Sequence, residues 1–282
     1  MVWQEFYMEI NFIKLQENGS DFIVIDEWEH VIIPDDMKGQ FAALYCDRRF
    51  GIGADGVLFL AKPTKKADVR MRVFQPDESE TEICGNGIRC LAKYAYDMGY
   101  VKENCTVQTE AGELAVIVRY ADEDFTATIS MPGPKFERKD IPATGDGEYH
   151  EQIGGFDVYA VNTGVPHAVI LVDAVDSIDL AAVAPQIRNH PTFLYGANVN
   201  FIQKTGEDSI RVRTFERGME DETLSCGTGA TASAAVEHHL GYMKGPVQVE
   251  TKGGPLTIHF DPDGVVRMEG PAVAVFSGVI LY

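Results

Sequence analysis

Two segments of the chain alternate apolar residues with arginines in the manner of a half-buried β-strand. They are VRMRVF at residues 69–74 and IRVRTF at residues 210–215. Successive side chains of a strand point to opposite faces, so each segment predicts one apolar and one polar face. More strand-like runs follow in both halves of the chain: CTVQTEAGELAVIV and FTATISMPG in the first half, PVQVETKGGPLTIHF and VVRMEGPAV in the second.

In each half, a cysteine followed by helix-forming residues lies between these strand segments. The runs are CGNGIRCLAKYAYDMG, which starts at Cys84, and CGTGATASAAVEHHLG, which starts at Cys226. Each run ends at a glycine, as is typical of the C′ position of a helix. Small residues in the second run predict a tightly buried central helix; they are Ala230, Ala232, Ala234 and Ala235.

The two halves are related by an internal duplication. When Cys84 is aligned with Cys226, 142 residues further on, the halves match at many positions without a gap. The identical pairs are Thr81–Thr223, Gly85–Gly227, Gly87–Gly229, Gly99–Gly241, Tyr100–Tyr242, Thr109–Thr251, Gly112–Gly254 and Leu114–Leu256. VRMRVF matches IRVRTF with a slip of one residue. Two long copies indicate a duplicated domain and not a solenoid, which needs three or more short repeats.

These patterns predict an α+β fold made of two pseudo-symmetric α/β domains. In each domain we expect a mixed or antiparallel β-sheet wrapped around one central helix. The predicted limits are residues 1–128 plus 271–282 for the domain with Cys84, and residues 129–270 for the domain with Cys226. The last segment, VAVFSGVILY, is expected to return to the first domain as a strand. The active site is expected in the cleft between the domains.

Composition and charge restrict the classes of partner. The 282 residues carry a formal net charge of −19, whereas nucleic acids and anionic membranes are bound by clustered Lys and Arg. Five cysteines without a dense framework favour free thiols in a reducing compartment. The amino terminus, MVWQEFYMEINF, is acidic and broken by polar residues, unlike a signal peptide. We therefore expect a cytoplasmic protein with a small-molecule partner, no nucleic acid and no membrane.

The repeated C-G-x-G sequence predicts a site for a carboxylate and a reactive thiol. The start of a helix presents unpaired backbone N–H groups and a partial positive charge, which bind anions and are expected to lower the pKa of a thiol. Two such helix starts can bind one carboxylate, with Cys84 and Cys226 on opposite faces of its α-carbon. One thiolate would remove the α-proton and the opposing thiol would return a proton, which inverts the carbon.

A single cysteine at a helix start is more often a buried small residue than a catalytic group. Two of them, each in C-G-x-G and each in the same place of a duplication, favour catalysis. The other cysteines (Cys46, Cys90 and Cys105) lack this context, and we expect them in the core. No lysine context typical of pyridoxal phosphate and no metal-binding cluster is evident, so the cysteines are expected to act without a cofactor or a metal.

Across nearly its whole length the chain resembles the diaminopimelate epimerase family. The resemblance lies in FIKLQENGSDFIVID (12–26), RRFGIGADG (48–56), CGNGIRC (84–90), GVPHAV (164–169), ANVNF (197–201) and FERGMEDETLSCGTGA (215–230). It implies two pseudo-symmetric α/β domains, no cofactor, a homodimer, and interconversion of LL- and meso-diaminopimelate by a cysteine pair in lysine biosynthesis.

The resemblance also implies roles for individual residues. Cys84 and Cys226 match the base and acid. The loops that bind the reacting carboxylate correspond to Gly85, Asn86, Gly227 and Thr228. Glu216 corresponds to an acid near the reacting amino group, Arg217 to a bidentate ligand of the distal carboxylate, and Asn198 to an amide at the distal end. His167 corresponds to a histidine beside the cysteines, although a buried or surface histidine with no catalytic role is an alternative.

Departures from the family pattern fall at expected substrate contacts. Ser20 and Gln75 stand where the family usually has asparagine, Val165 replaces the asparagine of G-N-P-H, and Gly56 replaces a glutamine. Ser20 and Gln75 still offer hydrogen bonds to a substrate, whereas Val165 does not. The alternatives are therefore a racemase of another amino acid, such as histidine, on the same fold, or a catalytically silent amino-acid-binding homologue.

Other sequence signals do not support a nucleotide site. GIGADG (51–56) fits G-x-G-x-x-G, but an apolar run typical of a strand follows it where the dinucleotide fold needs a helix. GTGATA (227–232) opens a helix, but polar residues precede it where a strand is needed. We expect GDGEYHEQIGG (145–155) to be a surface loop or turn.

Overall fold

The computed structural model describes residues 8–82 and 84–282. The first seven residues of the amino-terminal segment MVWQEFYMEINF lie outside this range. Contacts divide the chain into two compact units, one running to Ile129 and including Pro271–Tyr282, the other formed by Ser130–Gly270. The domain limits 1–128 plus 271–282 and 129–270 stay a prediction. No helix in the described part of the chain is long and apolar enough to cross a membrane.

Strands dominate both units and helices are few. In chain order the strands are β1 (Glu9–Glu17), β2 (Ser20–Asp26), β3 (Gly56–Ala61), β4 (Val69–Phe74), β5 (Glu80–Thr81), β6 (Asn104–Thr109), β7 (Gly112–Ala121), β8 (Asp124–Met131), β9 (His150–Ile153), β10 (Phe156–Asn162), β11 (Pro166–Leu171), β12 (Asn198–Lys204), β13 (Ser209–Glu216), β14 (Asp221–Thr223), β15 (Val247–Glu250), β16 (Pro255–Phe260), β17 (Val266–Pro271) and β18 (Val273–Leu281). The α-helices are α1 (Lys38–Cys46), α2 (Gly85–Asp97), α3 (Leu180–Arg188) and α4 (Gly227–His239).

The first unit contains a mixed sheet. β1 and β2 form an antiparallel hairpin, β2 pairs with β3 in parallel, and β3 pairs with β4 in antiparallel. β4 continues to β6 in parallel, and β6, β7 and β8 form an antiparallel meander. β18 pairs with the outer side of β1, which confirms the expected return of the last segment to this unit.

The second unit repeats this pairing strand by strand. β10 and β11 form the hairpin, β11 pairs with β12 in parallel, and β12 pairs with β13 in antiparallel. β13 continues to β15 in parallel, and β15, β16 and β17 form the meander. β9 pairs with β10 as β18 pairs with β1. The predicted α+β class and the duplication are therefore confirmed at the level of strand pairing.

One helix is enclosed by the strands of each unit. α2 packs against β1, β2, β3, β4 and β7, and α4 packs against β10, β11, β12, β13, β15 and β16. The alanines predicted to be buried in α4 are at most 2% exposed. Both helices end before a glycine with positive φ, +77° at Gly99 and +75° at Gly241, a conformation that favours residues without a Cβ.

Two expectations about local structure are wrong. The segment 145–155 is not only loop, because His150–Ile153 forms β9 and the neighbouring Tyr149 is 2% exposed. Its periodicity is hidden because the strand is only four residues long. The polar residues before Cys226 are also not purely irregular, since β14 pairs with the end of β13 and matches β5 in the first unit.

Candidate active site

Cys84 is the N-cap of α2, so its sulfur lies at the positive end of the central helix of the first unit. Its backbone is extended, and Sγ accepts a hydrogen bond of 3.4 Å from the N–H of Gly87. A Cβ on Gly87 would lie 3.4 Å from Sγ and 3.1 Å from a methyl group of Leu58. Glycine at this position therefore lets the start of the helix approach the sheet closely.

A buried polar chain holds the loop after Cys84. The Asn86 side chain donates to the Ser20 hydroxyl (2.9 Å) and accepts from the Arg89 guanidinium (2.7 Å). Arg89 and Glu17 form an ion pair of 2.9 Å in which both side chains are 0% exposed. Burial raises the pKa of Glu17, while the positive charge of Arg89 acts in the opposite direction. This pair fixes the orientation of the Asn86 amide at the first turn of the helix.

Two of the substituted positions have structural partners of their own. The Gln75 amide donates to the Thr81 hydroxyl at 2.5 Å and its side chain is exposed. Gly56 begins β3, where an added Cβ would lie 3.0 Å from the Phe74 carbonyl oxygen. A glutamine at residue 56 would therefore require the neighbouring strand to shift.

Cys226 is the N-cap of α4 and has the same extended backbone as Cys84. Its Sγ lies 3.5 Å from the Thr228 hydroxyl. The Thr228 carbonyl accepts a hydrogen bond of 2.9 Å from the buried Thr163 hydroxyl, which lies in the β10–β11 hairpin. The hairpin of the second unit therefore holds the loop of Cys226, as Ser20 in the β1–β2 hairpin contacts the loop of Cys84.

Glu216 places a carboxylate beside Cys226. It ends β13, and burial raises its pKa, while the nearby side chains of Thr223 and Cys226 act in the opposite direction. The thiol and the carboxyl group are therefore coupled, because ionisation of one opposes ionisation of the other. Arg217, the next residue, donates from its guanidinium to the carbonyls of Tyr195 (3.1 Å) and Gly196 (3.3 Å).

His167, Asn198 and Arg217 form one connected group in the second unit. The His167 side chain is 0% exposed and its Nε2 lies 3.4 Å from the Asn198 amide nitrogen. The Asn198 oxygen accepts a hydrogen bond of 2.7 Å from the backbone N–H of Arg217. Burial and the charge of Arg217 lower the pKa of His167 to about 3, so the imidazole is neutral at physiological pH.

The expectation that the pKa values of the two thiols are lowered is wrong. Burial raises the pKa of Cys84 even though the Gly87 N–H and the charge of Arg89 lower it. Burial together with the Glu216 carboxylate raises the pKa of Cys226 to about 12. Desolvation of the thiolate outweighs the favourable N–H groups at both helix starts. Cys46, Cys90 and Cys105 are buried, as expected.

Several residues at these sites were missed by the sequence reasoning. They are Glu17, Arg89, Thr163, Asn200 and Thr214. Asn200 was detectable, because it lies two residues after Asn198 on the same face of a strand that is otherwise buried and apolar. Thr163 was not, since a threonine in a hairpin carries no distinguishing pattern. No group of three or more His, Cys, Asp or Glu side chains suited to a metal ion occurs within residues 8–82 and 84–282.

Known proteins of similar structure share this architecture. A crystal structure of a Bacillus anthracis phenazine biosynthesis protein of the PhzF family covers 98% of this chain with a TM-score of 0.72 and 17% sequence identity, and all of that chain is covered. A hydroxyproline epimerase from Agrobacterium vitis covers 99% of this chain with a TM-score of 0.64 and 17% identity, and 94% of that chain is covered. At such identity these structures establish the fold alone.

Sequence comparison is more specific. The sequence model described as diaminopimelate epimerase matches residues 12–136 and 159–275. A diaminopimelate epimerase from Methanothrix thermoacetophila is 52% identical over 96% of this chain and 96% of its own length. Another from Archaeoglobus fulgidus is 46% identical over 97% of both chains. This chain therefore belongs to the diaminopimelate epimerase family.

Proposed function

We propose that this chain is an isomerase that interconverts LL- and meso-2,6-diaminopimelate, a step of lysine biosynthesis, with Cys84 and Cys226 as the two bases. The observation that carries the proposal is that both cysteines occupy the N-cap of the enclosed helix in two units of the same strand pairing. Relatives with 46–52% identity named diaminopimelate epimerase support the choice of substrate.

The proposed reaction is a proton exchange at one α-carbon. One cysteine thiolate removes the α-proton, so the C–H bond breaks and its electron pair passes into the carboxylate to form an enediolate. The thiol of the other cysteine donates a proton to the opposite face, which forms the new C–H bond. The sulfurs have then exchanged protonation states, and no external acid, base or oxidant is consumed.

Because burial raises the pKa of both thiols, we propose that binding of the substrate promotes ionisation of the cysteine that removes the proton. The α-ammonium group of an amino acid brings a positive charge to the reacting carbon, and such a charge favours the thiolate in a desolvated site. We assign the recognition of that ammonium group to Glu216, whose carboxylate lies beside Cys226. The N–H groups of Gly85, Asn86, Gly227 and Thr228 are proposed to bind the carboxylate and its developing charge.

The remaining contacts are proposed for the distal end and for the reacting groups. Arg217 is a bidentate donor suited to the distal carboxylate, and its guanidinium also contacts the carbonyls of Tyr195 and Gly196. Asn198 lies against the Arg217 backbone and contributes its amide to the same region. Ser20 and Gln75 are also proposed to contact the substrate. Ser20 accepts a hydrogen bond from Asn86, and Gln75 donates one to Thr81.

A racemase of another amino acid on the same fold is the second candidate. It is favoured by Val165, which offers the substrate only backbone polar groups, and by Gly56, where the strand leaves little room for a side chain. The two candidates share the chemistry of the cysteines and differ in the group that occupies the distal end of the site.

Exchange of the α-proton for deuterium distinguishes these candidates. The reduced protein is incubated in deuterium oxide with LL-diaminopimelate, and separately with histidine and other amino acids, and the α-protons are followed by NMR. We expect deuterium in diaminopimelate together with formation of the meso isomer. Exchange only into another amino acid would replace the proposed substrate, and no exchange into any of them would favour a silent binding protein.

We also propose a cytoplasmic homodimer. β18 exposes a row of apolar side chains (Val273, Val275, Phe276, Val279 and Leu281), a pattern more typical of an interface than of a solvated strand. Five free thiols support a reducing compartment. Sedimentation of a double variant with Val275→Lys and Val279→Lys should give a monomer, whereas Val31→Lys, at an exposed valine outside β18, should leave the dimer intact. A monomeric wild-type protein would contradict the proposal.

A further inference from the structure

The imidazole of His167 lies between two carboxamides. Its Nδ1 is 3.1 Å from Nδ2 of Asn200, and its Nε2 is 3.4 Å from Nδ2 of Asn198. The side chains of His167 and Asn200 are both 0% exposed, and that of Asn198 is 5% exposed. Solvent therefore does not decide which ring nitrogen carries the proton, and the neighbouring protein groups do.

The orientation of both amides is fixed by groups that have only one hydrogen-bonding role. Asn200 lies 3.0 Å from the Ala168 carbonyl, which can only accept, so Nδ2 must face that carbonyl. Its Oδ1 accepts from the Thr214 hydroxyl at 2.9 Å. Asn198 accepts from the backbone N–H of Arg217, which can only donate, so its Oδ1 faces Arg217 and its NH2 faces the ring.

Both ring nitrogens therefore face N–H donors, which decides the state of the ring. An imidazolium would direct two N–H groups at two donors, and a neutral ring can satisfy only one of them. The contact to Asn200 is shorter by 0.3 Å, at 3.1 Å against 3.4 Å, so Nδ1 is the acceptor. We infer that Asn200 is a positioning residue that holds His167 as the neutral Nε2–H tautomer.

This tautomer gives His167 a defined role. The Nε2–H group and the NH2 group of Asn198 lie side by side, and neither can accept a hydrogen bond from the other. Together they form a pair of buried donors that fits one oxygen of a ligand carbonyl or carboxylate. On the proposed function, which this role presupposes, His167 is then a hydrogen-bond donor to the amino-acid substrate and not a proton acceptor.

In the second unit, the Asn200 side chain packs directly against Gly229 at the start of α4. A Cβ on Gly229 would lie 2.5 Å from Oδ1 of Asn200 and 3.2 Å from the Thr214 hydroxyl. Gly87, the counterpart of Gly229, instead approaches the methyl group of Leu58. Leucine has nearly the same shape as asparagine and already occupies the equivalent place, so Asn200→Leu is the variant best suited to remove the amide without disturbing the packing.

The tautomer can be measured directly in the full-length protein. Histidine labelled with nitrogen-15 gives long-range proton–nitrogen correlations that distinguish the Nε2–H form, the Nδ1–H form and the cation. The chain has seven histidines, and the signals of His167 are those missing from a His167→Gln spectrum. We expect the Nε2–H pattern for His167 in the wild type at neutral pH.

Variants then separate positioning from packing. Asn200→Leu should give a mixture of tautomers and a kcat lower by about tenfold, the effect of one hydrogen bond, with a smaller change in KM. Asn200→Asp directs an oxygen at Nδ1 and should move the proton to Nδ1. Thr214→Val introduces the residue type that the first unit has at the equivalent position, Val73. This variant should keep the Nε2–H form, because the Ala168 carbonyl still orients Asn200.

An Nδ1–H ring or a cation in the wild type would overturn the inference. So would Asn200→Leu with an unchanged tautomer and an unchanged kcat. If Asn200→Leu does not fold, the comparison of wild type, Asn200→Asp and Thr214→Val still decides the tautomer. The spectra are recorded without substrate, so absence of diaminopimelate turnover would contradict the proposed function and leave this inference standing.

Discussion

The strands beneath the two helix starts pair in the same way, but their side chains are apolar in the first unit and polar in the second. In the first unit the strand pairs are Phe22 with Gly56 and Leu58 with Val73. In the second unit the pairs at the same positions are His167 with Asn198 and Asn200 with Thr214. At these positions the strands beneath Cys84 carry apolar residues or glycine, and those beneath Cys226 carry a hydrogen-bonded polar network. The cysteine at the helix start is thus the same in both copies, whereas the side chains of the strands beneath it differ in polarity.

The charges beside the two thiols differ in the same way. Gln75 directly follows Phe74 at the end of β4, and Glu216 directly follows Phe215 as the last residue of β13, so a neutral amide in the first unit corresponds to a carboxylate in the second. Arg89 is buried in α2, and the residue 142 positions on is Thr231, whose hydroxyl donates to the Gly227 carbonyl. Cys84 therefore has the buried Arg89–Glu17 ion pair nearby, whereas Cys226 has a carboxylate that raises its pKa.

Removal of either thiol tests whether both copies are needed, and we expect the largest effect there. Cys84→Ala and Cys226→Ala should each lower kcat for epimerisation by about 10³-fold or more, because a two-base inversion needs a proton acceptor on one face and a donor on the other. The measurement is formation of meso-diaminopimelate from the LL isomer, together with α-deuterium exchange.

Cys90→Ala is the matched control for these variants. Cys90 is 0% exposed in α2 and its counterpart in α4 is Ala232, so the substitution should fold and retain most of the activity. A protein that kept its epimerase activity without Cys84, or without Cys226, would contradict the proposal that both cysteines are needed.

Glu216→Gln sharpens the comparison, because it gives the second unit the residue that the first unit has at position 75. Loss of the carboxylate should lower the pKa of Cys226, so alkylation of this thiol by iodoacetamide should begin at lower pH. Loss of the contact to the ammonium group should also reduce kcat by about 10²-fold. Peptide mass spectrometry reports the alkylation of each cysteine separately.

Glu222→Gln is the control for the change of charge, since its carboxylate is bound by Arg213. Glu222→Gln should not change the pH at which alkylation of Cys226 begins. If Glu216→Gln left both the profile and kcat unchanged, the carboxylate would have no role at the thiol.

The fold was largely predictable because its signals are local and occur twice. Alternation in VRMRVF and IRVRTF, the terminal glycines at 99 and 241, and the alanines of α4 each indicate an element directly. The short strands were not predictable: β9 has four residues and β14 three, too few to display a period. These strands form because a longer neighbour already presents an edge to pair with.

The site was predictable as residue types but not in its electrostatics. The repeated C-G-x-G indicates both cysteines, yet the balance between helix N–H groups and burial that raises their pKa values depends on packing. Arg89 gave no signal either, because an arginine in an amphipathic helix usually faces solvent, and here it pairs with Glu17 from β1. Such partners lie far apart in sequence and meet only in the folded sheet.

The polar network that contains His167 should also make the free energy of unfolding depend on pH, by about 2 kcal/mol. The pKa of His167 is lowered from 6.5 to about 3, so the unfolded chain binds a proton at higher pH than the folded one. The contribution of His167 to stability is therefore complete above pH 6.5 and is lost as pH falls toward 3. Between pH 6.5 and about pH 5 the loss amounts to about 2 kcal/mol.

His167→Gln removes this titration and should flatten that part of the pH dependence, as measured by urea unfolding at both pH values. His190→Gln, at a half-buried histidine of the same unit, serves as the control. Equal slopes for wild type and His167→Gln would mean that the imidazole titrates normally in the folded protein.

The smallest effect concerns an ion pair that the duplication retained in both units. Arg72 binds Glu80 through two hydrogen bonds (2.7 and 2.8 Å), and Arg213 binds Glu222 in the same way (2.7 and 2.9 Å). Each pair joins β4 or β13 to the short strand before the cysteine.

Glu80→Gln and Glu222→Gln should each lower the free energy of unfolding by at most about 1 kcal/mol. The larger loss is expected for Glu222, which is 16% exposed against 27% for Glu80 and also binds Lys252. Urea unfolding in low and high salt provides the comparison, since screening should reduce the loss for the more exposed Glu80 pair first. Equal losses would mean that burial around the two cysteine loops differs less than the exposed fractions indicate.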